Sequence, residues 1–262
     1  MALLRQLMKH TLTACLPAER WLVRGRTRQT NALPAISLTF DDGPHPTHTA
    51  DVLAELDRWQ LTATFFVIGQ HAEAHPQLIQ QIVAAGHTVA NHTWTHSEPS
   101  LTSGRIFAEE VTRTTALVTK LTGTSPRWMR PPKGELTVGK TFGLWRAGYT
   151  IALWSVDPRD YRIDSDTEAL AVSQQTAWSH GDIVLLHDNR LGAAQLLRAW
   201  GRDGRWSRCQ TVPLSHWVPL RSREGEAPAE PLRGNTRGSI CGSAGASPSP
   251  LDVTPVLPFN SL

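Results

Sequence analysis

The sequence predicts an α/β fold of about seven parallel strands with helices outside them. Three observations predict it. From residue 34 onward, short apolar runs of strand length alternate with helical stripes, the pattern of parallel strands wrapped by crossover helices. The 262 residues and their 40% hydrophobic content suffice for one large domain with a real core. Polar residues able to do chemistry recur at the C-terminal ends of the predicted strands, where sites of βα-alternating folds sit. Periodicity does not separate a barrel from a doubly wound sheet.

The elements follow in order. "AISLTF" (35–40) reads as a buried strand, and "THTADVLAELDRW" (47–59) as a helix with Val52, Leu53, Leu56 and Trp59 on one face. "ATFFVI" (63–68) is strand-like. "PQLIQQIVAAG" (76–86) is a helix with Pro near its start and Gly at its end. "HTVAN" (87–91) is a short strand, and residues 103–123 form a long helix closed by Gly123. "PRWMRP" (126–131) reads as a short strand, 137–148 as a helix despite two glycines, and "YTIALWSV" (149–156) as a strand. A helix over 166–178, a buried strand at 182–188, a helix near 192–200 and a strand near 209–214 complete the series.

Two flanks stand apart. Residues 1–33 read as an amphipathic helix and linker, with apolar residues at 3, 4, 7, 8, 12, 15 and 16 broken by Arg5, Lys9 and His10. That stretch lacks the unbroken apolar core of a secretory signal, and no run reaches the length of a membrane span. A helix docked on the domain is favoured, with peripheral membrane contact as the second reading. The expected location is the cytoplasm or its membrane face. Residues 221–262 are rich in Gly, Pro, Ala and Ser without period, the composition of a disordered tail. "GEAPAEP" (225–231) can be coded by DNA whose opposite strand, read one base over, encodes "GSAGASP" (242–248). We read the tail as a translated inverted repeat without catalytic role; the gene's two coding stretches must then pair as reverse complements.

Composition narrows the function. The net charge of +3 comes from dispersed basic residues, not the concentrated stripe of a nucleic-acid surface. Cys15, Cys209 and Cys241 are far apart and show neither a disulfide framework nor zinc-finger spacing.

Five strand ends carry the candidate chemistry: Asp41 and Asp42, then His92 and His96, then Arg130, then Asp157 and Asp160, then His187. Two histidines four residues apart, with a carboxylate from another strand end, make an open three-ligand metal site. One Asp of the doublet then serves as a ligand and the other stays free as a general base. A nearby cation keeps both ionised and lowers the pKa of water. His187 titrates near neutrality and suits a general acid, with Asp160 or Asp157 able to raise its pKa. Arg130 can pair with the base carboxylate and orient it.

These motifs resemble the polysaccharide deacetylase family, carbohydrate esterase family 4, the nodulation-factor-deacetylase-like domain. "TFDDGP" (39–44), "HTWTH" (92–96), "RPPKG" (130–134), "DPRDY" (157–161) and "LLH" (185–187) are similar to its five motifs in order and spacing, across roughly residues 34–214. The resemblance implies a distorted, incomplete (β/α) barrel occupying residues 34–220. It implies one divalent metal, usually zinc with cobalt, manganese or nickel as alternatives, held by Asp42, His92 and His96. Asp41 would be the base, His187 the acid, Arg130 the tether of Asp41, and Asp160 the partner of His187. Leu185 would line the acetyl pocket, and a backbone N–H near Pro132 or Lys133 would stabilise the oxyanion. The implied reaction is hydrolysis of an N-acetyl group from an amino sugar in a poly- or oligosaccharide. Two positions depart from the pattern: Lys133 where Tyr is common, and Tyr161 where Trp is common. Trp94 and Trp154 are candidate sugar-stacking surfaces, with core packing equally open to Trp154. Two other readings stay open on residues alone: an amidohydrolase acting on a non-carbohydrate amide, and a non-catalytic glycan-binding domain. The intact acid, base and ligand set argues against the second.

Overall fold

The computed structural model describes residues 20–25, 33–99 and 101–218. The N-terminal amphipathic helix and the 221–262 tail lie outside the described residues. Among the described residues fifteen strands and α-helices follow one another: β1 (Trp21–Leu22), β2 (Ala35–Asp41), α1 (His48–Arg58), β3 (Ala63–Val67), α2 (Gly69–Ala74), α3 (Pro76–Ala84), β4 (Thr88–Asn91), α4 (Gly104–Thr122), β5 (Trp128–Met129), α5 (Val138–Arg146), β6 (Thr150–Ala152), α6 (Asp166–Gln175), β7 (Ile183–His187), α7 (Gly192–Arg202) and β8 (Gln210–Thr211). Seven strands pair in the order β1-β6-β5-β4-β3-β2-β7, and β8 pairs with β2. All pairings are parallel. A single bridge, Val156 to Val184, narrows the open side of this incomplete (β/α) barrel.

The period of two along β2 places the chemistry. Ile36, Leu38 and Phe40 point outward into the core beneath the helices, with Val52 and Leu56 of α1 among their neighbours. The alternate residues Ser37, Thr39 and Asp41 therefore face inward. The inner space holds Phe66, Ala90, Trp128, Ala152 and Ile183, with Leu214 and Trp217 of the final turn among them. Trp217 Nε1 donates to Ser37 Oγ at 2.8 Å and closes the N-terminal end of the barrel. Asp41, one register step beyond this packing, sits opposite His187 of β7 at the C-terminal end.

Helix boundaries follow local chemistry. Ser103 accepts the Ile106 N–H at the start of α4, and Gly123 ends it with φ +72°. Several details differ from the sequence reading: the strands read at 126–131 and 149–156 contract to Trp128–Met129 and Thr150–Ala152. Trp21–Leu22, assigned to the linker, forms an edge strand on β6, so the sheet begins before residue 34. Two residues carry no readable period. The helix α2 was not anticipated, because six residues are too few to show a stripe. The strand near 209–214 contracts to Gln210–Thr211. Among the described residues, no helix is long and apolar enough to cross a membrane.

Candidate active site

The strand ends bring Asp41, Asp42, His92, His96, Arg130, Asp160 and His187 together. Asp42 follows β2 in the left-handed region, with φ +73°. Thr93 and His96, which follow β4, and Lys133 and Arg159 also have φ between +56° and +67°. Of the six non-glycine residues with positive φ among the described residues, only Gln60 lies away from this end of the barrel. A β-branched residue such as Thr93 adopts that conformation only when its surroundings enforce it. Here the Asn91 carboxamide accepts the Thr93 N–H at 2.8 Å, while its Nδ2 donates to Val111 O and Thr115 Oγ1 of α4.

Asp42 Oδ1 stands 3.4 Å from His92 Nε2 and 3.3 Å from His96 Nε2. It is buried without a hydrogen-bond partner among the described residues. His92 Nδ1 lies 2.7 Å from the Arg130 carbonyl, which only accepts, so Nδ1 carries the proton and Nε2 presents its lone pair. Burial pushes His92 down, but Asp41 and Asp42 outweigh it and the net shift is upward. Burial raises Asp42, yet His92 foremost, through polar contact and charge, and then His96 and His187 carry it down to about 2. The Asp41 and Asp42 carboxylates that favour a proton on His92 favour a metal cation beside it too, while burial pushes His96 down. The three ligand atoms lie within 4.8 Å of one another. An orphaned carboxylate oxygen and two imidazole lone pairs fit a divalent metal of borderline softness.

Asp41 is buried beside the cluster. Arg130 Nη1 donates to Asp41 Oδ1 at 2.7 Å and to Thr39 Oγ1 at 2.9 Å. Arg130 is itself wholly buried, donating Nε to Ala152 O and Nη2 to Leu153 O, each at 3.0 Å. A buried guanidinium held by four hydrogen bonds cannot swing away, so Asp41 Oδ1 is fixed and Oδ2 faces His92 at 3.7 Å. On the opposite side, Asp160 Oδ1 is 2.9 Å from His187 Nδ1, and Oδ2 accepts the His187 N–H at 2.7 Å. Burial pushes His187 down, but Asp160, with Asp41 and Asp42, lifts it to about 9.

A chitooligosaccharide deacetylase of Bradyrhizobium sp. (strain ANU 289) is 38% identical over 193 residues, covering 73% of this chain and 86% of that protein. The chain belongs to the polysaccharide deacetylase family. The family's model, described as polysaccharide deacetylase, matches residues 28–152. A peptidoglycan-N-acetylglucosamine deacetylase of Bacillus cereus is 32% identical over 161 residues, 61% of this chain and 58% of that protein. The solved structure of peptidoglycan deacetylase PdaC from Bacillus subtilis superposes with a TM-score of 0.65 at 27% identity, covering 71% of this chain and 90% of that one.

Within this member of the polysaccharide deacetylase family, two expected site residues are placed elsewhere. Asp157 does not reach His187; it is exposed and accepts the Arg159 N–H at 2.9 Å, an Asx turn that shapes the loop. Trp94 offers no sugar-stacking face. It is buried, with the Arg113 guanidinium 3.5 Å from its ring centroid and Gly69 pressed against it. Trp154 is half-buried and packs with the barrel core. Tyr161 is the exposed aromatic beside the site, edge-on to His187 at 5.6 Å. Leu185 is buried on the inner face of β7. Pro132 has no N–H, which leaves Lys133 as the backbone donor of that pair. The Lys133 side chain pairs with Glu98 across the rim.

Sequence reasoning missed Glu110 of α4. Its carboxylate accepts the Trp94 and Thr95 N–H groups, each at 3.1 Å, and the Thr95 and Ser97 hydroxyls. It holds the loop carrying His96. A helical Glu gives no local sign of such a role. His71, whose Nδ1 is 2.8 Å from the Asp42 carbonyl, was missed as well.

Proposed function

We propose that the protein is a metal-dependent deacetylase that hydrolyses N-acetyl groups of amino-sugar residues in a poly- or oligosaccharide, with zinc as the metal. The observation that carries this is the pairing of opposed groups around one cation site: Asp41 held by Arg130 on one side, His187 held by Asp160 on the other. Binding a glycan needs neither pair; hydrolysing an amide needs both. The names of the relatives supply the substrate class.

A divalent cation held by Asp42, His92 and His96 supplies Lewis acidity at the amide carbonyl and acidifies water beside it. Asp41 Oδ2 accepts the proton of the attacking water while Arg130 keeps Oδ1 occupied. The Lys133 N–H points a fixed dipole at the developing oxyanion. His187, with Nδ1 engaged by Asp160, presents Nε2–H to the leaving nitrogen and protonates the amine. Leu185 gives the acetyl methyl an apolar wall, and Tyr161 offers a face at the rim to a sugar ring.

The test is acetate release from chito-oligosaccharides and from peptidoglycan, with chelation and zinc or cobalt restoration, beside Asp41→Asn. The expected result is metal-dependent acetate release from at least one substrate, reduced about 10²-fold or more in Asp41→Asn. A chain that binds zinc stoichiometrically and releases no acetate from either substrate overturns the reading.

A further inference from the structure

We propose that Asp188 and Thr49 are positioning residues that hold Asp42 at the cation site by clamping the turn after β2. The inference rests on the metal-site reading above. The chain leaves β2 at Asp41 and turns through Asp42, Gly43 and Pro44, so Asp42 lies outside the strand ladder. Something outside that turn must hold a left-handed Asp42 in place.

The next residue after His187 does so. Asp188 is buried, and its N–H donates to Asp41 O at 3.2 Å, extending the β2–β7 ladder by one step. Its carboxylate lies flat against Gly43, where an added Cβ would stand 2.0 Å from Oδ2. Asp188 Oδ2 accepts the Thr49 hydroxyl at 2.6 Å, and that hydroxyl accepts the His45 N–H at 2.7 Å. Thr49 is wholly buried in the first turn of α1. One carboxylate thus contacts the turn before Pro44 directly and after it through Thr49. Neither side chain touches the reacting atoms, and nothing in the proposed proton transfers uses them. Outer groups that orient metal ligands typically contribute 10–100-fold in affinity.

The hydroxyl is separable from its packing, because Val keeps the shape of Thr without the oxygen and Ser keeps the oxygen without the methyl. Zinc affinity is measured by competition with a chromogenic chelator in the full chain, for wild type, Thr49→Val, Thr49→Ser and Asp188→Ala, with circular dichroism for each. Thr49→Val is expected to bind zinc about tenfold more weakly, and Thr49→Ser within about twofold of wild type. Asp188→Ala combined with Thr49→Val is expected to weaken binding no more than Asp188→Ala alone, since the pair acts as one unit. In Thr49→Val, kcat at subsaturating zinc falls while KM for the sugar stays. Wild-type zinc affinity in Thr49→Val, or equal losses in the Ser and Val variants, overturns the inference. If Asp188→Ala loses its fold, the Thr49 pair decides alone. A wild-type chain that binds no zinc overturns the metal-site reading itself, and this inference with it.

Discussion

At His187, the acid role and the titration have one cause. The imidazole is buried, which alone lowers its pKa, and Asp160 with the two site carboxylates raises it to about 9. A general acid works while protonated, so activity falls as pH rises through that value. Removing the Asp160 charge lowers the pKa and shifts this alkaline limb toward lower pH. Asp160→Asn is therefore expected to lose activity over the range where wild type is still active, and to retain more of it at pH 6. A pH profile of kcat for both proteins checks this; superimposable alkaline limbs contradict it. The stability linkage has the same sign. A folded-state pKa raised above its unfolded value contributes stability below about 6.5 that is lost as pH rises toward 9. The wild-type advantage over Asp160→Asn in chelated protein, read from urea midpoints, should shrink between those values.

Elements carry the site by their ends, and the ends depend on caps. Ser103 accepts the Ile106 N–H at 3.2 Å and starts α4, the helix whose Glu110 holds the loop of His96. Ser103→Ala is expected to cost about 1 kcal/mol of unfolding free energy, measured by urea titration, with little change in KM. The exposed cap lies about two turns from Glu110, so the helix frays without releasing it. The same elements show what was legible in the sequence. Asp41, Asp42, His92, His96, Arg130 and His187 were readable because β-strand periodicity and the βα rule place strand ends on one face. Asp157 and Trp94 misled because residue type was informative and direction was not. Asp157 is turned away by a local Asx turn with Arg159, and Trp94 is covered by Arg113, a neighbour far along the chain. Glu110, Thr49 and Asp188 act through tertiary hydrogen bonds that leave no period behind.

Across the whole molecule, the cation site joins β2 to β4 through the turns that follow them, while Arg130 and His187 lean in from β5 and β7. A cation bound there binds the folded chain and not the unfolded one, so it stabilises by mass action. At a free concentration one hundred times Kd, that amounts to about 2.7 kcal/mol. For a domain of about 200 residues, each kcal/mol moves Tm by about 2–4 °C. Saturating zinc is thus expected to raise Tm by about 5–10 °C over chelated protein, and chelation to abolish acetate release together with that rise. His96 is the informative position, since it is only half-buried and its removal leaves the core packing of the apo protein intact. His96→Ala should unfold near the temperature of chelated wild type and gain little from zinc. The control is His75→Ala, a histidine between α2 and α3 outside the cluster, which should keep the full gain. Equal zinc-dependent rises in all three proteins would place the cation somewhere other than the ends of these strands. A rise lost in His96→Ala alone ties the stability of the barrel's C-terminal end to the same three side chains that the chemistry requires.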